Sequence, residues 1–204
     1  MTDQFLLTEN AHRVAVQLAD LWATAVEAQA RRIRKPHNLR VTVPDQYLQV
    51  VALHHVLVAA KMARAHVPSE SARPRIDAAI NAFLKAIVVT RGPGMNQRQA
   101  LALARDVLEH FDEYLSGTGK KQKEDQARTG ESKEDLAQRY RPELGTTGQP
   151  TLRIGSAPRA EIDLAAIAPA AARQLVEALC AIVGVDVLPG FGTAPLHHGG
   201  EQAD

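Results

Sequence analysis

Arg105, Asp106 and His110 lie close together in the chain, and their types suit one kind of chemistry. A histidine titrates where proton transfer is efficient at neutral pH. An arginine carries a permanent planar charge that matches a phosphate. Between them they can deprotonate a hydroxyl nucleophile, protonate a leaving oxygen and stabilise the charge that develops on phosphorus, with no metal in the scheme. Asp106, one helical turn before His110, can orient the imidazole and raise its pKa. The same residues also have a plain structural reading. Arg105–Glu109 and Asp106–His110 are i,i+4 pairs of a helix surface, each worth about 0.2–0.5 kcal/mol. Asp106, Glu109, Asp112 and Glu113 also surround the site with negative charge, which opposes an anionic substrate.

The element that must position these groups is the stretch 101–115, LALARDVLEHFDEYL. Leu101, Ala104, Leu108, Phe111 and Leu115 recur at steps of three and four, which places them on one helix face. Leu103, Val107 and Tyr114 line another side of the same helix, with His110 among them. Two apolar faces imply two partners, the helix's own core and a second surface such as another subunit.

Arg105, a polar Asp106, three further residues and His110, late in a fourth long helix, resemble the Arg-x4–6-His motif of HEPN-domain proteins. The run Glu109-His110-Phe111-Asp112-Glu113 is similar to sequences of uncharacterised HEPN-like proteins. A second match to the spacing, Arg32 and His37, lacks the polar second residue and runs into Pro36. The resemblance covers residues 8–117. It implies a small helical bundle, a homodimer through helix four, and metal-independent cleavage of RNA. Arg105 and His110 stand roughly 140° apart around one helix, so a single helix does not aim both at one point. A two-fold contact through Leu103, Val107 and Tyr114 would bring both chains' groups into one cleft, and the second apolar face is an independent reason for such a contact.

Composition sets the frame. The chain has 204 residues, 45% hydrophobic but only 4% aromatic, so its core is built from Ala, Leu, Val and Ile and suits close helix packing. A formal charge of +1 supplies no global field for nucleic acid or anionic membrane, and any RNA surface has to be a local patch. The single cysteine, Cys180, sits in an apolar run and reads as a buried small hydrophobe. The start of the chain has no basic region and too short an apolar run for a signal peptide, and no segment offers about 18 uninterrupted apolar residues. The expectation is a cytoplasmic protein with no membrane partner.

In chain order, Thr8 or Asn10 caps a helix over 11–34, with its stripe through Val14, Leu18, Leu21 and Ala25. Its closing basic run suits the helix dipole, an RNA patch being the other reading. An extended piece at 39–43 leads to a helix over 45–66, apolar nearly all round, in which His54 and His55 read as hydrogen-bonded core polar groups. A third helix spans 72–90. Arg91-Gly92-Pro93-Gly94 then reads as a loop rather than a phosphate cradle, having no preceding strand and no lysine in place. Helix four spans 96–116, and Gly117 and Gly119 close it. Residues 118–149 read as a charged mobile linker with a short helix over 132–140, capped by Ser132 with Asp135 three residues on.

Residues 151–154 and 160–163 read as a β-hairpin, and a fifth helix spans 169–183. The tail 189–204 reads as disordered, its His197-His198 included. The domain reading is therefore a bundle over 1–117, the linker, a hairpin and helix over 150–188 packed on the bundle, and the tail. The fold class is mainly α: an antiparallel four-helix bundle with a small β-hairpin and a fifth helix. No cofactor and no metal is expected. Two functions stay open: a dimeric ribonuclease, with RNA as substrate and an antitoxin as partner, and a catalytically inactive scaffold or regulatory protein.

Overall fold

A computed structural model describes residues 10–34, 39–144, 150–155 and 159–186. Thr8, His37, the 145–149 stretch, His197 and His198 lie outside the described residues. The chain is mostly helical, with a small four-stranded antiparallel sheet in the order β1-β4-β3-β2. A four-helix bundle with one hairpin is not the architecture, because two further strands and one further helix are built from stretches read as helix end and linker.

Helix α1 (Ala11–Arg34) and helix α2 (Leu39–His66) pack along each other. The stack of Trp22 on His55 and the Arg32–Asp45 ion pair show that they run antiparallel. Their contact is made by small residues. Ala15, Ala19, Ala23, Val26 and Ala30 of α1 are buried, as are Ala52, Ala59, Ala60 and Ala63 of α2. Val14, Leu18 and Leu21, expected in the core, face outward instead, Leu21 at 57% exposure. Helix α2 also starts earlier than expected. Pro44 lies inside it, where a missing N–H removes one backbone bond near the start without ending the helix.

Helix α3 (Ala72–Ile87) stops before the expected end. Val88, Val89 and Thr90 are β-branched and favour a pleated backbone, and they form strand β1 (Val88–Arg91). The Gly92-Pro93-Gly94 loop thus does follow a strand. Strands β2 (Pro142–Leu144), β3 (Thr151–Ile154) and β4 (Ala160–Asp163) complete the sheet. Leu152 pairs with Ile162 across β3 and β4, and Val88 pairs with the same Ile162 from the other side. The expected hairpin is present as the centre of this sheet. Helix α8 (Ala168–Val183) lies against α1 and α3. Asp163 starts it by accepting from the Ile167 and Ala168 N–H groups at 2.8 Å each. Cys180 is buried on it, and burial pushes its thiol pKa up.

The expected fourth helix is two. Helix α4 (Gln97–Glu109) opens with an Asn96–Gln99 capping box and ends at His110, whose φ of −118° and ψ of 40° leave the helical range. A short α5 (Phe111–Leu115) follows on a different phase. Helix α4 sits between α2 and the sheet. Leu103, Val107 and Tyr114 are all buried within the chain itself. The face expected to meet a second subunit is not a free face. Phe111 and Leu115, expected in the core, are 46% and 48% exposed.

Helices α6 (Lys120–Thr129) and α7 (Lys133–Arg139) occupy the stretch expected as mobile linker. The Ser132 cap of α7 is as expected: its hydroxyl accepts from the Asp135 N–H. Hydrogen bonds do the anchoring that apolar residues would otherwise do. Buried Gln122 donates to the Tyr114 and Leu136 carbonyls at 2.8 and 3.0 Å and accepts from the Gly119 N–H at 2.8 Å. Tyr140 and Arg159 both donate to Asp125.

Gly119 sits where a side chain would collide with this packing, since a Cβ there would lie 2.8 Å from three carbons of the Tyr114 ring. Gly119→Ala is therefore expected to displace Tyr114 and to destabilise the protein by about 1–3 kcal/mol, as overpacking does. Thermal unfolding reads this as a drop of several degrees. A melting temperature equal to the wild type's would mean that the ring moves aside freely.

Candidate functional site

Arg105 leaves α4 on the edge that faces α2. Its Nε lies 2.8 Å from Glu109 Oε2, the i,i+4 pair expected from the sequence. Its Nη1 lies 3.5 and 3.4 Å from Nδ1 and Nε2 of His54. This contact joins residues far apart in sequence, and only the packing of α2 on α4 creates it. His54 is half-buried. Burial, and next the Arg105 charge, hold its pKa down at about 4, with His55 and Lys61 adding to the effect and Glu109 opposing it. His54 is thus neutral at pH 7 beside a permanent cation. Its neighbour His55 stacks on Trp22 at 4.3 Å between ring centroids.

Asp106 turns toward α5, where its Oδ2 accepts from the Tyr114 hydroxyl at 2.6 Å. Burial first, and this bond second, push the Tyr114 pKa up. The carboxylate does not orient His110 as expected. The helix ends at His110, which turns the imidazole out of line with the preceding turn, and its Nδ1 lies 3.4 Å from Glu113 Oε1. The His110 side chain is 51% exposed.

Arg105 and Asp106 line an open cleft of about 380 Å³ between α4, the Pro93–Met95 loop and the first turn of α6. Lys120 and Lys121 form its far wall. Among the described residues Asp106 is the one carboxylate that lines it; Glu109, Asp112 and Glu113 do not. The structure thus brings Arg105 and Asp106 to one cavity and leaves His110 outside it. Sequence reasoning missed Lys120, Lys121 and His54. The two lysines were visible as a basic pair after Gly119, and the His54-His55 break in an apolar helix was the only sign of the third.

Among the described residues no group of three or more His, Cys, Asp or Glu side chains is placed to hold a metal ion. Nor is any described helix long and apolar enough to cross a membrane. The cleft is therefore read through its cations. Arg105 offers a planar donor fork and Lys120 a mobile ammonium, a pairing that suits a phosphate. Lys121 is the less free of the two lysines, its Nζ being paired with Glu124.

Compared with known proteins, the chain matches no family model, no curated protein and no solved structure.

Proposed function

We propose that the chain is a HEPN-like, metal-independent ribonuclease that works as a homodimer, with Arg105 holding the scissile phosphate and His110 transferring protons. The observation that carries this reading is the cleft: Arg105 lines it together with Lys120 and Lys121. Of the carboxylates that count against RNA in the sequence, Asp106 in the cleft is occupied by Tyr114, Glu109 is neutralised by Arg105 itself, and Asp112 and Glu113 do not line the cleft.

The dimer contact in this reading moves to the exposed edge of α4 and α5. Phe111 and Leu115 stand free there next to His110, so a two-fold contact through them carries each His110 toward the other chain's α4. The toxin of a toxin–antitoxin or defence pair is the setting this activity fits, and an adjacent small antitoxin gene would favour it. A second reading, a catalytically silent scaffold or regulator, draws on the outward apolar side chains of α1 and α2, including Leu18, Leu21, Val58 and Met62.

RNA degradation by the purified protein in the presence of a chelator tests the first reading. Wild type is expected to cleave, and Arg105→Ala and His110→Ala are each expected to lose about a hundredfold or more, the scale of positioned acid–base and charge-stabilising groups. His110→Ala is expected to fold normally. His110 is half exposed, and such changes typically move stability by no more than about 0.5 kcal/mol. Cleavage that survives both substitutions refutes the site. Absence of cleavage by wild type across a broad RNA set puts the scaffold reading ahead.

A further inference from the structure

We propose that His54 is the general base of the cleavage reaction, taking the proton of the RNA 2′-hydroxyl while Arg105 holds the adjacent phosphate. This rests on the ribonuclease reading and names a second histidine for the same site. Geometry carries it. Both ring nitrogens of His54 lie within 3.5 Å of Arg105 Nη1. A phosphate oxygen bound to a guanidinium sits about 2.7–2.9 Å from its nitrogen. His54 does not itself line the cleft, so the phosphate in this proposal is held on the side of the Arg105 guanidinium that faces α2. There it lies next to the imidazole, and the 2′-oxygen that must attack the phosphorus comes within reach of the same ring. A general base has to approach its proton's heavy atom to about 2.6–3.2 Å, and no other described histidine has a ring nitrogen this close to Arg105.

The surroundings of His54 fit the role. Arg105 and Glu109 face it from α4, and His55 and Lys61 act on it from α2. In the free protein burial, Arg105, His55 and Lys61 keep the ring unprotonated at neutral pH against the opposing pull of Glu109, ready to accept a proton but weakly basic. A bound phosphate changes that balance. Its negative charge opposes that of Arg105, and it competes with Glu109 for the guanidinium, so that the Glu109 carboxylate is freer to act on His54. Both effects favour the imidazolium and raise the basicity of His54 when substrate is in place.

The step balances without a redox partner. The 2′-hydroxyl proton passes to a His54 nitrogen, the 2′-oxygen forms a bond to phosphorus, and the bond from phosphorus to the 5′-oxygen breaks. The leaving 5′-oxygen takes a proton from His110 or from water. The products are a 2′,3′-cyclic phosphate and a 5′-hydroxyl end.

The test is steady-state cleavage of a short RNA with a single scissile linkage by full-length wild type, His54→Gln, Arg105→Ala and His110→Ala between pH 4 and 8. His54→Gln is expected to lower kcat by about a hundredfold with KM within about threefold of wild type. The acid limb of the wild-type kcat/KM profile is expected near 4, well below the usual histidine value of about 6.5, and to disappear in His54→Gln. Cleavage by His54→Gln within threefold of wild type, with Arg105→Ala inactive, overturns the role of His54 and leaves the ribonuclease reading standing. No cleavage by wild type overturns both. Should His54→Gln misfold by circular dichroism, the wild-type profile decides alone. An acid limb near 6.5 that vanishes in His110→Ala assigns the base to His110 and overturns the proposal.

Discussion

Val107→Glu is expected to unfold the chain, not to separate a dimer. Val107 is wholly buried on α4, a helix that packs on both α2 and the sheet, and a glutamate there would be a carboxylate shut away from water. Removing the valine loses roughly 1.5–3 kcal/mol of apolar burial. Desolvating an unpaired carboxylate adds several kcal/mol, or forces it to bind a proton. The sum approaches the 5–15 kcal/mol that typically holds a domain together. At about 2–4 °C per kcal/mol for a chain of this length, the melting temperature is expected to fall by about 10 °C or more, and the variant to accumulate as aggregate. Phe111→Glu is the contrasting case. It lies at the exposed edge and is expected to keep the wild-type melting temperature within a few degrees, while light scattering reports whether a dimer has been lost. A folded Val107→Glu variant of halved mass would overturn this account and restore the interface expected from the sequence.

The error behind that expected interface is instructive about what periodicity can see. A hydrophobic stripe says that a face will be covered, and it says nothing of what covers it. Leu103 and Val107 needed a partner and are covered within the chain itself, on a helix that packs against β1, β3 and β4, strands that lie outside the helical repeat. On α1 the stripe through Val14, Leu18 and Leu21 keeps helical spacing but lies on the exposed face. Leu18 and Leu21 outrank alanine on any hydropathy scale, yet Ala15, Ala19 and Ala23 make the closer contact with α2 because small side chains let two helices approach. The start of α1 near Ala11 was legible, as was the Ser132 cap of α7. The break at His110 was not, since nothing between Leu108 and Phe111 is a helix breaker and the apolar steps of three and four continue through it.

The site was legible to the extent that it is local. Arg105, Asp106 and Glu109 belong to one helix, and their spacing alone placed them near one another. His54 is brought to Arg105 by the packing of α2 on α4, which no single stretch encodes, and the base rate for a histidine in an apolar helix favoured a core role. Lys120 and Lys121 were hidden for a different reason. Their segment holds few apolar residues, and an argument from apolar burial therefore predicted disorder. What it could not count were Gln122 and Asp125, buried polar groups whose hydrogen bonds are satisfied by side chains and carbonyls distributed over 114–159. Networks of that kind stabilise only when complete, and completeness is invisible until the chain is folded.

Asp125 is where that completeness can be tested. Its Oδ2 accepts from the Tyr140 hydroxyl at 2.8 Å and from Arg159 Nη1 at 2.6 Å, and its Oδ1 accepts from Arg128 at 3.0 Å. Arg159 also lies 4.7 Å above the Tyr140 ring, so one carboxylate ties α6 to the end of α7 and to the residue preceding β4. The Asp125 side chain is 13% exposed. Asp125→Ala leaves the Tyr140 hydroxyl and the Arg159 charge without this partner, and breaking such a largely buried pair is expected to destabilise by about 3–5 kcal/mol. The pH dependence gives a second, independent reading. Burial pushes the Asp125 carboxyl up, but the hydrogen bonds from Tyr140, Arg128 and Arg159 outweigh it and hold the pKa at about 2, below the ordinary 3.8. A carboxyl held low in the folded state stabilises the protein fully above its unfolded pKa, and the contribution is lost as pH falls through the folded one. The window is therefore pH 4 down to 2, and the contribution is on the order of 2 kcal/mol. Denaturant unfolding of wild type is expected to show that loss across the window, and the acid slope of Asp125→Ala is expected to be shallower by the same amount. Equal acid slopes in the two proteins, or a difference in stability below about 1 kcal/mol at pH 7, would mean that α6 and α7 are held by Leu136 and Gln122 without the help of Asp125.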